Sequence, residues 1–332
     1  MKNMVAYTKK WLSLDAQVAR LAAKGLQFEE ARECAQVLRA IGYYRFSGYL
    51  YPFRRSEWDF DGDRTVRVRV LDEVRDGVTL ADVVDVIEFD RGLRALVLDG
   101  VERIEVALRM QLGYVLGRSS GTAHLEEAAF TDQFCDRTEI RDDGLPAESK
   151  HQRWQQKVSR HAAASGEPFV AHFREKYDDE LPIWILTEVM EFGHISSVYP
   201  GLRNDLATEI AQHFGVPTKK IMNSWIASLN YVRNVAAHQG RLFNRKLVVA
   251  PKRPSSAAVP LLGHLHDVET AKRTFGVYNM LAVIAYLLRS IEPNGDWNRR
   301  VSAYMGRFPT SSSLTIESLG APINWSQLQL WE

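Results

Sequence analysis

From Leu80 to Leu116 apolar residues recur at helical intervals: Val83, Val84, Ile87, Leu93, Leu96, Val97, Val101, Ile104, Leu108, Leu112, Val115 and Leu116. A stripe of this length can be buried only by other helices packed along it, which commits the chain to a helical assembly. The spacing predicts one long helix, or two that break near Gly92 or Gly100. Thr79 has the place of its N-cap, with Asp82 three residues on in the capping-box position. Within the stripe, Glu105 and Arg109 form an i, i+4 pair of the kind that decorates a solvated face, unless this segment packs beside the helix that carries Arg233, Asn234 and His238.

The same period recurs in both directions. It marks residues 8 to 24 (Trp11, Leu12, Leu14, Val18, Leu21), 28 to 41, roughly 148 to 164, the run from Leu181 through Phe192, and Leu202 to Phe214. A helix starting at Pro217 carries Ile221, Trp225, Leu229 and Val232 toward a core, and Val268 to Ile291 forms a last apolar helix. Strand signals are few. Residues 54 to 78, with Asp61-Gly62 and a Val66-Arg-Val68-Arg-Val70 alternation, suit a short hairpin or a surface loop. The class is therefore all-α. The expected organisation is an N-terminal helical and aromatic subdomain (1–78), a helical bundle (79–292) with an irregular insertion at about 118–168, and a Ser-rich C-terminal tail (293–332).

The chemistry concentrates in Tyr231 to Arg245, where Arg233-Asn234 is followed four residues later by His238. On a helix, Asn234 and His238 share a face at i, i+4, and the long Arg233 side chain swings onto it. Arg241 continues the row at i+3 from His238. Net charge is only +1, so the chain as a whole gives no sign of binding a polyanion or a membrane surface. Between Ile210 and His266, however, there is no Asp or Glu, while Lys219, Lys220, Arg233, Arg241, Arg245, Lys246, Lys252 and Arg253 are all basic. A histidine beside a fixed cation and an amide in such a segment suits a phosphodiester. A second candidate is the aromatic stretch Ile41 to Phe53. There, Tyr43, Tyr44 and Arg45 offer a stacking platform for exposed bases, or else the rings fill a packing corner.

Other classes are disfavoured. Cys34 and Cys135 have no metal-ligand spacing, and His124, His151, His161 and His172 have no carboxylate or cysteine at ligand spacing, so neither metal nor cofactor is expected. There is no glycine-rich phosphate loop. The apolar run near Val277 to Leu288 stops at Arg289, too short for a membrane span, and two distant cysteines fit a reducing cytoplasm.

Several stretches taken together resemble the Abi-like (AbiD/AbiF) family of bacterial phage abortive-infection proteins. They are Tyr43-Tyr-Arg-Phe-Ser-Gly-Tyr49, Phe89-Asp-Arg-x-Leu-Arg94, Ile104-Glu-Val-Ala-Leu-Arg109, Pro182-x-Trp184, Glu191-Phe-Gly193 and Arg233-Asn-x-x-x-His238-x-x-Arg241-x-x-Asn244-Arg245. The resemblance implies a HEPN-type bundle, in which Arg-x4-6-His marks metal-independent ribonucleases. It also implies a homodimer, because such sites commonly face each other in pairs and this chain has one clear copy. On this reading His238 acts as acid or base on RNA, Arg233 stabilises phosphoryl charge and Asn234 orients. Arg241, Asn244, Arg245 and Lys246 hold the flanking backbone. The rival reading is a non-catalytic RNA-binding or phage-sensing protein that uses the same basic groove.

Overall fold

The computed structural model describes residues 10–61, 64–140, 142, 146–177, 180–266, 276–311 and 313–332, with the backbone alone at 58–61 and 64–68. The chain groups into two compact units, Met1–Gly92 with Arg307–Ser318, and Leu93–Gly306 with Leu319–Glu332. Residues 293–332, expected as one tail, are thus shared between them.

In the first unit α1 (Leu14–Ala23) begins later than the apolar pattern suggests. The Ser13 hydroxyl accepts the Ala16 N–H at 3.2 Å, and this cap leaves Trp11 outside the helix and exposed. Helix α2 (Ala31–Ile41) buries Cys34 and Leu38 and ends at Gly42, whose φ of +86° lets the chain turn directly into α3 (Tyr43–Leu50). An antiparallel hairpin follows, β1 (Arg54–Asp61) with β2 (Arg64–Val74), which settles the choice left open between hairpin and loop. The Gly62 turn and the Val66 and Val68 side chains lie outside the described residues. Long helix α4 (Leu80–Gly117) then runs without a break at Gly92 or Gly100. Its start is the expected one: the Thr79 N–H and hydroxyl donate to Asp82 Oδ2 at 2.8 Å, and the Asp82 N–H donates to Thr79 Oγ1 at 3.2 Å.

The second unit holds the rest of α4 and most of the core. Short α5 (Asp132–Cys135), α6 (Lys150–Ala163) and α7 (Pro168–Lys176) lead to α8 (Ile183–Val189), with Pro182 at its N-cap. The run expected from Leu181 through Phe192 is two helices. The chain extends through Met190 and Glu191, and Glu191 caps a new helix, α9 (Phe192–Val198), by a reciprocal bond with His194. Then come α10 (Asn204–His213), α11 (Lys219–Ala237), α12 (Tyr278–Ile291) and α13 (Trp297–Met305). The first residues of the helix expected from Val268 lie outside the described set.

Trp225, Trp297, Tyr199, Tyr278, Phe192 and Phe214 are fully buried. Each such side chain stabilises by about 1.5–3 kcal/mol through lost apolar exposure. Their polar tips are paired as well: Trp297 Nε1 donates to the Leu96 carbonyl at 3.0 Å and Tyr199 Oη to the Ala207 carbonyl at 2.7 Å. The C-terminus joins this core, with Leu330 and Trp331 buried and the Asn298 amide donating to the Leu330 carbonyl at 3.0 Å. The Glu105–Arg109 pair also belongs inside. Glu105 is 7% exposed and ion-paired to half-buried Arg109, which donates on to the Glu188 carbonyl at 3.4 Å, so it is a part-buried tie between α4 and α8 rather than a solvated face. Among the described residues no helix is long and apolar enough to cross a membrane.

Candidate functional site

Helix α11 orients the site through its apolar face. Thr218 caps it by accepting the Ile221 N–H at 3.2 Å, and Met222, Trp225, Ile226, Leu229, Val232 and Ala236 are buried. With that face fixed in the core, Asn234 and His238 must point to solvent, and both are exposed. Arg233, at the margin, is half-buried and approaches Asn234 Oδ1 at 3.4 Å.

The end of α11 determines what can stand beside His238. This residue is the C-cap, and its N–H donates to the Asn234 carbonyl at 3.0 Å, so the i, i+4 placement is realised. Gln239 then takes φ +57°, with its N–H on the Ala236 carbonyl at 3.0 Å and the Gly240 N–H on the Val235 carbonyl at 2.7 Å. This is the Schellman arrangement, and it turns the chain back. The expected helical row through Arg241 is therefore wrong: Arg241 lies beyond the reversal. Leu242, Phe243 and Leu247 are buried and pin the returning segment. Arg245 Nε donates to the Arg241 carbonyl at 2.6 Å, and its guanidinium reaches toward Tyr231 Oη at 3.4 Å. Asn244, at φ +49°, and Lys246 are exposed.

The basic segment divides in three. Lys219 and Lys220 belong to the first turn of α11, about 21 Å along the axis from Arg233, and Lys219 donates to the Leu202 carbonyl. The Lys252 backbone pairs with Ser224 and Trp225 near the helix middle, while Arg253 donates to the Leu265 carbonyl at 2.8 Å, with burial lowering its pKa. Arg233, Arg241, Arg245 and Lys246 remain at the C-terminal end, where the helix dipole favours cations. Any phosphate there must be held by these side chains, because the helix terminus itself disfavours an anion.

Tyr43, Tyr44 and Arg45 belong to the first unit, and the cluster at the end of α11 to the second. Phe46, Tyr49 and Phe53 are core residues, Tyr49 Oη donates to buried Asp90 at 2.6 Å, and Arg45 lies over the Tyr49 ring at 5.9 Å. Tyr43 is half-buried; Tyr44, at 94% exposed, presents its ring fully to solvent. Most of the aromatic cluster is therefore packing, and it ties two of the stretches that carry the resemblance to each other.

One grouping has no counterpart in the sequence pattern. His161, which has no carboxylate at ligand spacing in the sequence, meets Glu191 and His194, and one ligand atom from each lies within 4.8 Å of the others. Burial first, and then His161, hold the His194 imidazole below the ordinary histidine range. Glu191 and His194 stand at i, i+3 in the sequence, but only the packing of α6 on α9 brings His161, 30 and 33 positions earlier, to them.

Among known proteins, a family model described as Abi-like protein matches residues 36–244 of the 332. No curated protein and no solved structure matches significantly. The matched span takes in the α3 aromatics, all of α4 and the Arg233-Asn-x-x-x-His238 turn, and it covers well over half of the chain: this protein belongs to the Abi-like family.

Proposed function

We propose that this is an abortive-infection defence protein that acts as a HEPN-type, metal-independent endoribonuclease. The observation that carries the reading is the α11 terminus, where His238 and Asn234 stand one turn apart on an open surface beside Arg233, and the chain turns back so that Arg245 reaches Tyr231 of the same helix. Family membership supports the defence role.

In the proposed reaction His238 takes the proton from a ribose 2′-hydroxyl, and O2′ forms a bond to phosphorus as the bond to O5′ breaks. The products are a 2′,3′-cyclic phosphate and a 5′-hydroxyl. Arg233 neutralises charge on the non-bridging oxygens with its fixed fork of donors. Arg241, Asn244, Arg245 and Lys246 hold flanking phosphates. Attack and departure occur on opposite sides of phosphorus, so a single imidazole cannot serve both atoms. His238 of a second copy supplies the proton to O5′, which is why we propose a homodimer. An exposed apolar stripe on α4, Val106, Met110 and Tyr114 at i, i+4, i+8, is a surface suited to such pairing.

The test is cleavage of single-stranded RNA by purified protein in EDTA. DNA of the same sequence should survive, and His238→Ala should lower cleavage by about 100-fold or more. Equal cleavage by the variant would overturn the assignment. RNA that is bound but never cut would favour the binding-protein reading.

A further inference from the structure

The last turn of α6 and the start of α9 bring together two imidazoles and a carboxylate. The His161 and His194 rings have centroids 5.0 Å apart, and His161 Nδ1 is 3.9 Å from Glu191 Oε1. From this geometry we propose that His161, Glu191 and His194 bind a zinc ion, or a divalent ion of similar character, that fastens α6 to α9.

The donor set favours this class of ion. Two imidazole nitrogens with one carboxylate oxygen suit zinc and its first-row neighbours, whereas calcium and magnesium take oxygen ligands. Bonds of about 2.0–2.1 Å in a tetrahedral site set neighbouring ligand atoms roughly 3.4 Å apart. The His161–Glu191 spacing of 3.9 Å is near that value, and the outer limit of 4.8 Å for the trio requires closure that side-chain rotation can provide. His161 and Glu191, 38% and 62% exposed in their side chains, have room for that adjustment, which for Glu191 draws on a carboxylate that also caps the His194 N–H. The third ligand is already seated: Trp154 Nε1 of α6 donates to the His194 carbonyl at 3.0 Å, so the backbone that carries His194 is fixed to the helix that carries His161. A water molecule would complete the coordination.

The arrangement gains little without an ion. Two imidazoles 5.0 Å apart repel when both are protonated, and one carboxylate can compensate only one of them. Coordination at His194 Nδ1 would displace the Glu191 N–H that now donates to it at 3.0 Å, and this amide, on an exposed residue, would return to water. Lys157 and Arg109 also act on the His194 ring, and their charge tempers the affinity for a dication.

The experiment is calorimetric titration of untagged full-length protein with zinc chloride, with cobalt absorption spectra in parallel. About one ion per chain should bind, zinc should raise the thermal unfolding midpoint, and cobalt should give the visible bands of a low-coordinate site. His161→Ala, which leaves the Glu191–His194 cap intact, and Glu191→Gln should each weaken binding about tenfold or more and abolish the midpoint shift. Absence of binding by the wild type, or undiminished binding by both variants, would overturn the site. None of these readings uses RNA, so they stand or fall independently of the ribonuclease assignment.

Discussion

His238 owes its exposure to the apolar residues of α11, and that much is legible in the sequence: once Trp225, Leu229 and Val232 face inward, Asn234 and His238 face out. The position of Arg241 is not. A glycine at C′ is the usual sign that a helix stops, and here that place is held by Gln239 at φ +57°, with Gly240 one residue later, so the pattern runs past the true end. Another residue-scale consequence concerns His124. It is 5% exposed, and burial first and neighbouring His151 second push its pKa from 6.5 down to about 4. The unfolded chain therefore binds a proton that the native protein refuses between those values. Stability is complete above pH 6.5 and falls as pH drops toward 4, by up to about 3 kcal/mol from this group. Urea unfolding across that range should give falling midpoints, and His124→Gln should flatten the slope, though buried His151 and half-buried His194 contribute in the same direction.

At the scale of elements, α4 could be read almost in full, because its stripe and its Thr79–Asp82 cap are local signals. The break between α8 and α9 could not. Glu191 is an uncommon N-cap, and the apolar period continues through Met190 and Phe192, so only the reciprocal Glu191–His194 bonding marks the boundary. Gly100 is the converse case. It looked like a weak point, yet a β-carbon there would lie 2.7 Å from both Ile284 and Trp297, so its smallness serves the packing of α12 and α13 against α4. Gly100→Ala should destabilise by about 1–3 kcal/mol through overpacking, outweighing the gain of roughly 1 kcal/mol from better helix propensity. Chemical denaturation measures the difference, and a stabilised variant would refute this role for the glycine.

At the scale of the whole molecule the sequence conveys the helical class and the location of the motif, because both rest on local periodicity and charge. The approach of His161 to Glu191 and His194, and the part-buried tie of Glu105 and Arg109 to α8, depend on which helices meet, and no local pattern records that. The proposed dimer makes a claim at this scale. Val106→Glu with Met110→Glu, both exposed positions on α4, should leave each chain folded while shifting the protein from dimer to monomer in light scattering, with cleavage lost alongside. The central claim, however, is that His238 drives attack by a ribose hydroxyl, and the most direct measurement examines the products. Wild-type protein, in EDTA, should convert an RNA oligonucleotide to fragments that end in 2′,3′-cyclic phosphate and begin with 5′-hydroxyl, as read by mass spectrometry. A single 2′-deoxy substitution at the scissile nucleotide, or His238→Ala, should abolish them. Cleavage that persists at the deoxy position, or that leaves 5′-phosphate ends, would contradict the account.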